Sequence, residues 1–222
     1  MKKIITLLIF FSQIGIVSAQ FFQGLGVMGG LSYYRQKWWL TYTDGSSDKL
    51  KQKYILRFNG CVFAEFIKHD NFHWRTEFEY NQKGCKQKTD NGTFKNKVDY
   101  ICWNNYLKIY EDEFEGTPYL LIGPRVEYLI KQNTESPMIT DNFKKLHFSW
   151  SVGAGWEFPV FGNFKPIIEV HYNPDIDKAY KTSGIAPGAL GVSSLDIKNR
   201  PWELRVGVRI IFNKEGCPPV YK

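Results

Sequence analysis

Cysteine is scarce in this 222-residue chain. Cys61, Cys85, Cys102 and Cys217 are its only four, and no two are spaced C-x-x-C. That spacing argues against a thioredoxin-type pair and against a zinc ribbon. Beyond residue 19 there is no apolar run near the ~18 residues a spanning helix needs. Mean hydropathy is −0.34, which excludes a polytopic helical membrane protein. No Gly-rich loop able to cradle phosphates and no metal-ligand spacing occur, so no cofactor and no metal are expected. Acids are outnumbered, 22 against 29 Lys and Arg, for a formal net charge of +7. The basic residues are scattered through separate loops, so nucleic acid is not an expected partner. What is abundant is aromatic: 17 Phe, 13 Tyr and 7 Trp, together with 19 Gly. Aromatics favour strands and glycines favour tight turns.

The N-terminus reads as an address. Lys2 and Lys3 precede an apolar stretch from Ile4 to Ile16, and Val17-Ser18-Ala19 places small residues before a cut between Ala19 and Gln20. Residues 1–19 are therefore expected to be a Sec-type signal peptide. No Cys follows the cut, so a lipoprotein anchor is not expected. Residues 20–212 are expected to form one domain, and residues 213–222, with Cys217, Pro218 and Pro219, a periplasmic tail. An oxidising compartment permits disulfides. Four cysteines allow three full pairings, and free buried thiols fit as well.

Eight stretches alternate with period two, so one parity faces each side of a sheet. The charge-free faces are Leu25 to Tyr33, Leu56 to Phe66, Phe72 to Tyr80, Ile101 to Ile109, Leu120 to Ile130, Phe148 to Phe158, Phe164 to Tyr172 and Trp202 to Phe212, each taken at every second residue. The opposite parity is charged. A soluble β-sandwich also alternates, but three features favour a membrane barrel. The strands run about ten residues, enough to cross hydrocarbon when tilted. Aromatics gather near strand ends, as at Trp38, Trp39, Phe72, Tyr80, Tyr172 and Trp202. Long polar connections (39–53, 84–97, 131–146, 173–200) alternate with short ones. The expected fold is all-β: an eight-stranded, antiparallel, up-and-down transmembrane β-barrel of the outer-membrane type. It would be integral to the cell outer membrane with periplasmic termini. Pro124 inside a strand calls for a bulge or break, and Asn105 puts a carboxamide on a lipid face.

Several motifs resemble PorT-like outer-membrane β-barrel proteins of Bacteroidetes. Arg75-Thr-Glu-Phe-Glu-Tyr-Asn-Gln-Lys-Gly-Cys85-Lys is similar to their "R-x-E-L-x-Y-s-q-K-G-x-K" stretch. Tyr119-Leu-Leu-Ile-Gly-Pro-Arg125, Trp150-Ser-Val-Gly-Ala-Gly155-Trp-Glu and Leu204-Arg-Val-Gly-Val-Arg-Ile-Ile-Phe212 resemble three further strands of that family. Trp103-Asn104 stands where the family usually has Ile-Pro. The resemblance implies the barrel fold and a link to secretion or gliding machinery.

Two groups of residues are the candidate sites. The lumen-facing parity carries seven acids (Glu65, Glu77, Glu79, Glu127, Glu157, Glu169, Glu203) and six bases (Arg57, Arg75, Lys108, Arg125, Arg205, Arg209). Such near-balance is what a self-neutralising polar plug needs, since an unpaired buried charge costs several kcal/mol. A narrow ion path is the alternative reading. The long connections carry Lys49, Lys51, Lys53, Lys83, Lys86, Lys88, Lys95 and Lys97, expected as a basic outer rim beside the phosphates of lipopolysaccharide. The short turn with Glu111, Asp112, Glu113 and Glu115 makes the inner rim acidic. Pairing across the 159–163 turn would bring His147 near Asp175, but no nucleophile completes a hydrolase. The expected role is non-enzymatic: a structural or accessory subunit of an envelope assembly. A small-solute channel is the alternative, and a rim hydrolase a distant third.

Overall fold

A computed structural model describes residues 22–69, 71–89, 92–110, 116–136, 138–139, 143–183 and 191–211. The expected signal peptide, the tail with Cys217, the acidic turn 111–115 and most of the small apolar stretch 183–192 lie outside the described residues. Twelve strands and no helix occur among the described residues. They are β1 (Phe22–Tyr34), β2 (Gln36–Tyr42), β3 (Ser47–Lys51), β4 (Ile55–His69), β5 (Phe72–Thr89), β6 (Gly92–Tyr110), β7 (Thr117–Thr134), β8 (Leu146–Glu157), β9 (Phe164–Tyr172), β10 (Tyr180–Ser183), β11 (Val192–Asn199) and β12 (Trp202–Ile211).

Eight of them close a barrel in the order β1-β12-β9-β8-β7-β6-β5-β4, every pair antiparallel. Strands adjacent in the ring follow one another in this series along the chain, and β12 pairs back onto β1 from Tyr33↔Trp202 to Gly24↔Ile211. Closure leaves no barrel edge unpaired, which a bilayer demands. The expected apolar parity points outward on all eight strands: Leu25, Val27, Leu56, Phe58, Phe78, Trp103, Leu120, Phe148, Val170 and Leu204 are each 40–59% exposed. The protein is an eight-stranded antiparallel transmembrane barrel of the outer-membrane type, and lipid covers this belt.

The long connections depart from expectation. Strand β5 has 18 residues, β6 19 and β7 18, so each is about 60 Å long at ~3.4 Å per residue, twice the hydrocarbon thickness. The β5–β6 ladder continues to Thr89↔Gly92, so most of 84–97 is hairpin rather than loop. Segments 36–51 and 180–199 form a second, four-stranded sheet, β10-β11-β2-β3. The reason is a short local alternation. Trp38 and Leu40 point one way from β2, and Leu195 and Ile197 one way from β11. These four bury against Cys85, Val98, Tyr100 and Cys102 of the long hairpin and against Phe143 and Tyr180. The sheet is a cap, and its apolar core reaches lumen-facing Tyr100 and Cys102 at the barrel mouth.

Two local features place the lumen side chains. Gly26 faces inward, and a Cβ there would lie 2.1 Å from the Phe63 ring, so the missing side chain is what admits Phe63. At Pro124 the β6–β7 ladder skips from Asn104↔Arg125 to Leu107↔Ile122, the local break that a prolyl nitrogen without a hydrogen imposes. Gly123 accommodates it, since a Cβ there would meet the Asn105 carbonyl oxygen at 1.7 Å.

Candidate functional site

Among the described residues the inward face of the barrel wall is mostly polar, small or aromatic, with Met28, Leu121 and Ile167 as aliphatic members, and its charged side chains are mutually paired. At the end with the short turns, Lys108 bonds Glu65 at 3.0 Å and also Glu157. Arg209 bonds Glu65 and lies 3.2 Å from Glu157, while Lys165 Nζ is 2.7 Å from the other Glu157 oxygen. At mid-depth Arg75 meets Glu169 at 2.5 Å and Glu77 at 3.4 Å, with its guanidinium 3.7 Å above the Phe63 ring. Arg205 forks onto Glu77 at 2.5 Å, Glu79 at 2.9 Å and Glu203. Tyr119 donates to Glu169, and His171 Nε2 lies 2.8 Å from its other oxygen. Toward the cap Arg125 holds Glu79 and Glu127, each at 2.7 Å. Asn104 donates to Glu77 at 2.8 Å and to Glu79 at 3.0 Å, and Asn81 to Glu203 at 2.7 Å.

The set differs from the sequence expectation at three bases. Lys83 is not a rim residue: it is fully buried, bonds Glu127 and lies 3.9 Å from Asp175. Strand β5 simply continues past the membrane, so Lys83 keeps the inward parity of Glu79 and Asn81. Arg57 does not join the lumenal acids. The β4–β5 ladder ends at Asn59↔Asn81, and Arg57 passes through the opening above it to Asp99, 3.1 Å away. Lys165 was overlooked, although its place between Phe164 and Pro166 gives it inward parity. With those changes Glu65, Glu77, Glu79, Glu127, Glu157, Glu169 and Glu203 face Arg75, Lys83, Lys108, Arg125, Lys165, Arg205 and Arg209, seven glutamates against seven bases, with the buried Asp175 as an eighth acid beside Lys83.

The other candidates spread over the cap end. Lys49, Lys53, Lys88 and Lys95 are exposed, while Lys86 and Lys97 are half-buried on the long hairpin; Lys51 closes β3. Cys61, Cys85 and Cys102 are free thiols, all buried. Burial under the cap pushes the Cys85 thiol up to about 12.

His147 and Asp175 do meet, and Glu127 joins them, with ligating atoms of all three within 4.8 Å of one another. These are donors a divalent cation accepts, but the Lys83 ammonium already sits on both carboxylates. The positive charge at this spot is supplied by the chain itself. All three residues are buried beneath the cap, so the group offers a substrate no access.

A filled lumen under a strand-built cap is the geometry to set beside known proteins. No family model matches the chain, and no curated protein matches it. Solved structures do. The outer membrane protein OprG from Pseudomonas aeruginosa is similar with a TM-score of 0.63 and 15% identity, over 87% of this chain and 98% of that one. The outer membrane protein AlkL, solved in DMPC lipid bilayers, is similar with a TM-score of 0.52 and 15% identity, over 90% and 96%. The fold is that of outer-membrane β-barrels. At such identity the likeness carries architecture alone, and the PorT-like resemblance rests on the motif residues.

Proposed function

We propose that the protein is a non-enzymatic outer-membrane barrel that serves as a structural or accessory subunit of an envelope assembly. Secretion- or gliding-type machinery and an uptake complex are the assemblies that suit it, and the PorT-like motifs around Arg75–Lys86 favour the former. One observation carries the reading: the lumen is filled. Seven buried lumenal glutamates are matched by seven buried bases, and aromatic and aliphatic side chains such as Phe63, Tyr106, Tyr119, Leu121 and Ile167 occupy the rest. A cavity at the end with the short turns, lined by His73, Lys108, Tyr110, Thr117, Tyr119 and Glu157, holds about 10 Å³, room for one water. A barrel of eight strands is just wide enough for side chains to fill. A filled barrel turns its outside, its cap and its termini into the working surfaces.

In this reading the cap faces the exterior, the termini lie in the periplasm, and lipopolysaccharide surrounds the barrel where it leaves the lipid belt, below the hairpin tip. Charge-assisted contacts between Lys side chains and lipid phosphates fit such a surface. The test is purification of tagged full-length protein from native membranes in mild detergent. A stoichiometric envelope protein retained on the tag is the expected result. A lone barrel across several mild detergents would overturn the accessory role.

A further inference from the structure

We propose that a recess on the outer wall of the barrel, just beyond the lipid belt, binds the phosphate of an outer-leaflet glycolipid headgroup. The site deepens the reading above and rests on the cap facing the exterior. The recess encloses about 220 Å³ and is lined by Arg57, Gln82, Lys97, Asp99, Lys131 and Asn133.

A β-bulge builds it. Asp99 pairs with Lys131 and Tyr100 with Leu129, which leaves Ile130 as the extra residue of β7. The bulge inverts parity. Below it Tyr128 points to lipid; above it Lys131 and Asn133 take the outward face, while Gln132 turns toward the cap and accepts the Phe143 N–H at 2.8 Å. Lys131 and Asn133 thereby join Lys97, Asp99 and Gln82 on one wall. Arg57 reaches the same recess from β4.

The charge favours an anion. Arg57, Lys97 and Lys131 converge against Asp99 as the one lining acid. Asp99 braces the site: one of its oxygens accepts from Arg57 Nη2 at 3.1 Å and the other from Tyr80 Oη at 3.0 Å. Gln82 Nε2 donates to the same Tyr80 hydroxyl at 3.0 Å. Arg57 Nε is buried with no hydrogen-bond partner. A phosphate would take the Arg57 charge through its remaining Nη1 donors and two Lys point charges, and Asn133 offers its amide to a sugar hydroxyl.

The height fits a lipid. Ile101 and Tyr128, 42% and 51% exposed, mark the edge of the belt on β6 and β7 below. Gln82 and Lys97 stand two to four residues beyond that edge, about 5–10 Å along strands tilted ~40°, which is the headgroup layer.

The test uses full-length protein in nanodiscs, with retained lipid counted by native mass spectrometry. Diphosphoryl lipid A, the same lipid dephosphorylated, and inorganic phosphate are the probes. Diphosphoryl lipid A should be retained at least tenfold over the dephosphorylated form. Lys97→Gln with Lys131→Gln should abolish that preference. Lys88→Gln with Lys95→Gln, an equal charge loss on the same hairpin outside the recess, should leave it within twofold. Equal loss in both double variants would reduce the effect to general surface charge and overturn the site. Full displacement by millimolar inorganic phosphate would assign a free anion instead of a lipid and overturn it too. Surface labelling of Lys88→Cys on intact cells reads the orientation separately. Labelling without lipid preference defeats the site alone, and absence of labelling defeats the orientation and the site together.

Discussion

Arg125→Met removes a hub of the lumen and shows what pairing is worth there. The guanidinium donates through Nε to Glu127 and through Nη1 to Glu79, both at 2.7 Å, and Nη2 lies 3.9 Å from Glu203. Each charge-assisted bond contributes about 1.5–3 kcal/mol. Two direct ones suggest about 3–6 kcal/mol, but neither carboxylate is abandoned. Glu79 keeps Arg205 at 2.9 Å, and Glu127 keeps Lys83. The net loss should therefore be about 3–5 kcal/mol, the usual cost of breaking a buried pair. That lowers the folded-to-unfolded ratio about 100- to 4,000-fold. Arg125→Lys keeps the charge but reaches one carboxylate, so about half the loss should return. Combining Arg125→Met with Glu79→Gln should cost less than the sum of the singles by about 1–3 kcal/mol. Reversible urea unfolding in phospholipid vesicles, followed by tryptophan fluorescence, measures these variants and the Glu79→Gln single. If Arg125→Met stays within about 1 kcal/mol of wild type, the lumen is wet and screened, and the plug fails.

Three further outcomes follow from the same geometry. Lys83→Met should cost about 2–4 kcal/mol in the same unfolding assay, because Glu127 and Asp175 lose their shared ammonium; adding Glu127→Gln should recover part of it. Asn105 stands midway along the lipid face of β6, between Trp103 and Leu107, so Asn105→Leu should stabilise the barrel by about 1–3 kcal/mol; destabilisation would mean that the amide has a partner. Burial holds the Cys85 thiol at about 12, far above its ordinary value, so at pH 8 iodoacetamide followed by peptide mass spectrometry should leave Cys85 unmodified until the protein unfolds.

The membrane-spanning part was legible because two different solvents act on the two faces of each strand. Lipid demands Val27, Leu56, Trp103 and Leu204 outside, and a sealed network demands Glu77, Arg125 and Arg205 inside, so period two runs unbroken. Pro124 foretold its own gap in the ladder. Legibility ended where the lipid ended. Beyond it no hydrophobic alternation marks a continuing strand, and Lys83 looked like a loop lysine although it is two residues from Asn81 on the same face. The cap was hidden for a related reason. Trp38-x-Leu40 and Leu195-x-Ile197 alternate over only a few residues among many charges, and most of their partners lie far away along the chain, as Trp38 and Cys85 do. Arg57 left the lumen because the β4–β5 ladder stops at Asn59, and sequence does not announce where a pairing ends. Lys165, by contrast, was readable from parity alone.

Single-channel recording of the purified full-length protein in planar bilayers tests the central claim most directly. A lumen closed by a shared network of buried acids and seven bases and covered by a four-stranded cap predicts a flat baseline at about ±100 mV in about 1 M KCl, where the Debye length is about 3 Å, with no steady step above background. Reproducible, long-lived conductance steps from the wild-type protein would contradict it and put a pore where the structure has a plug.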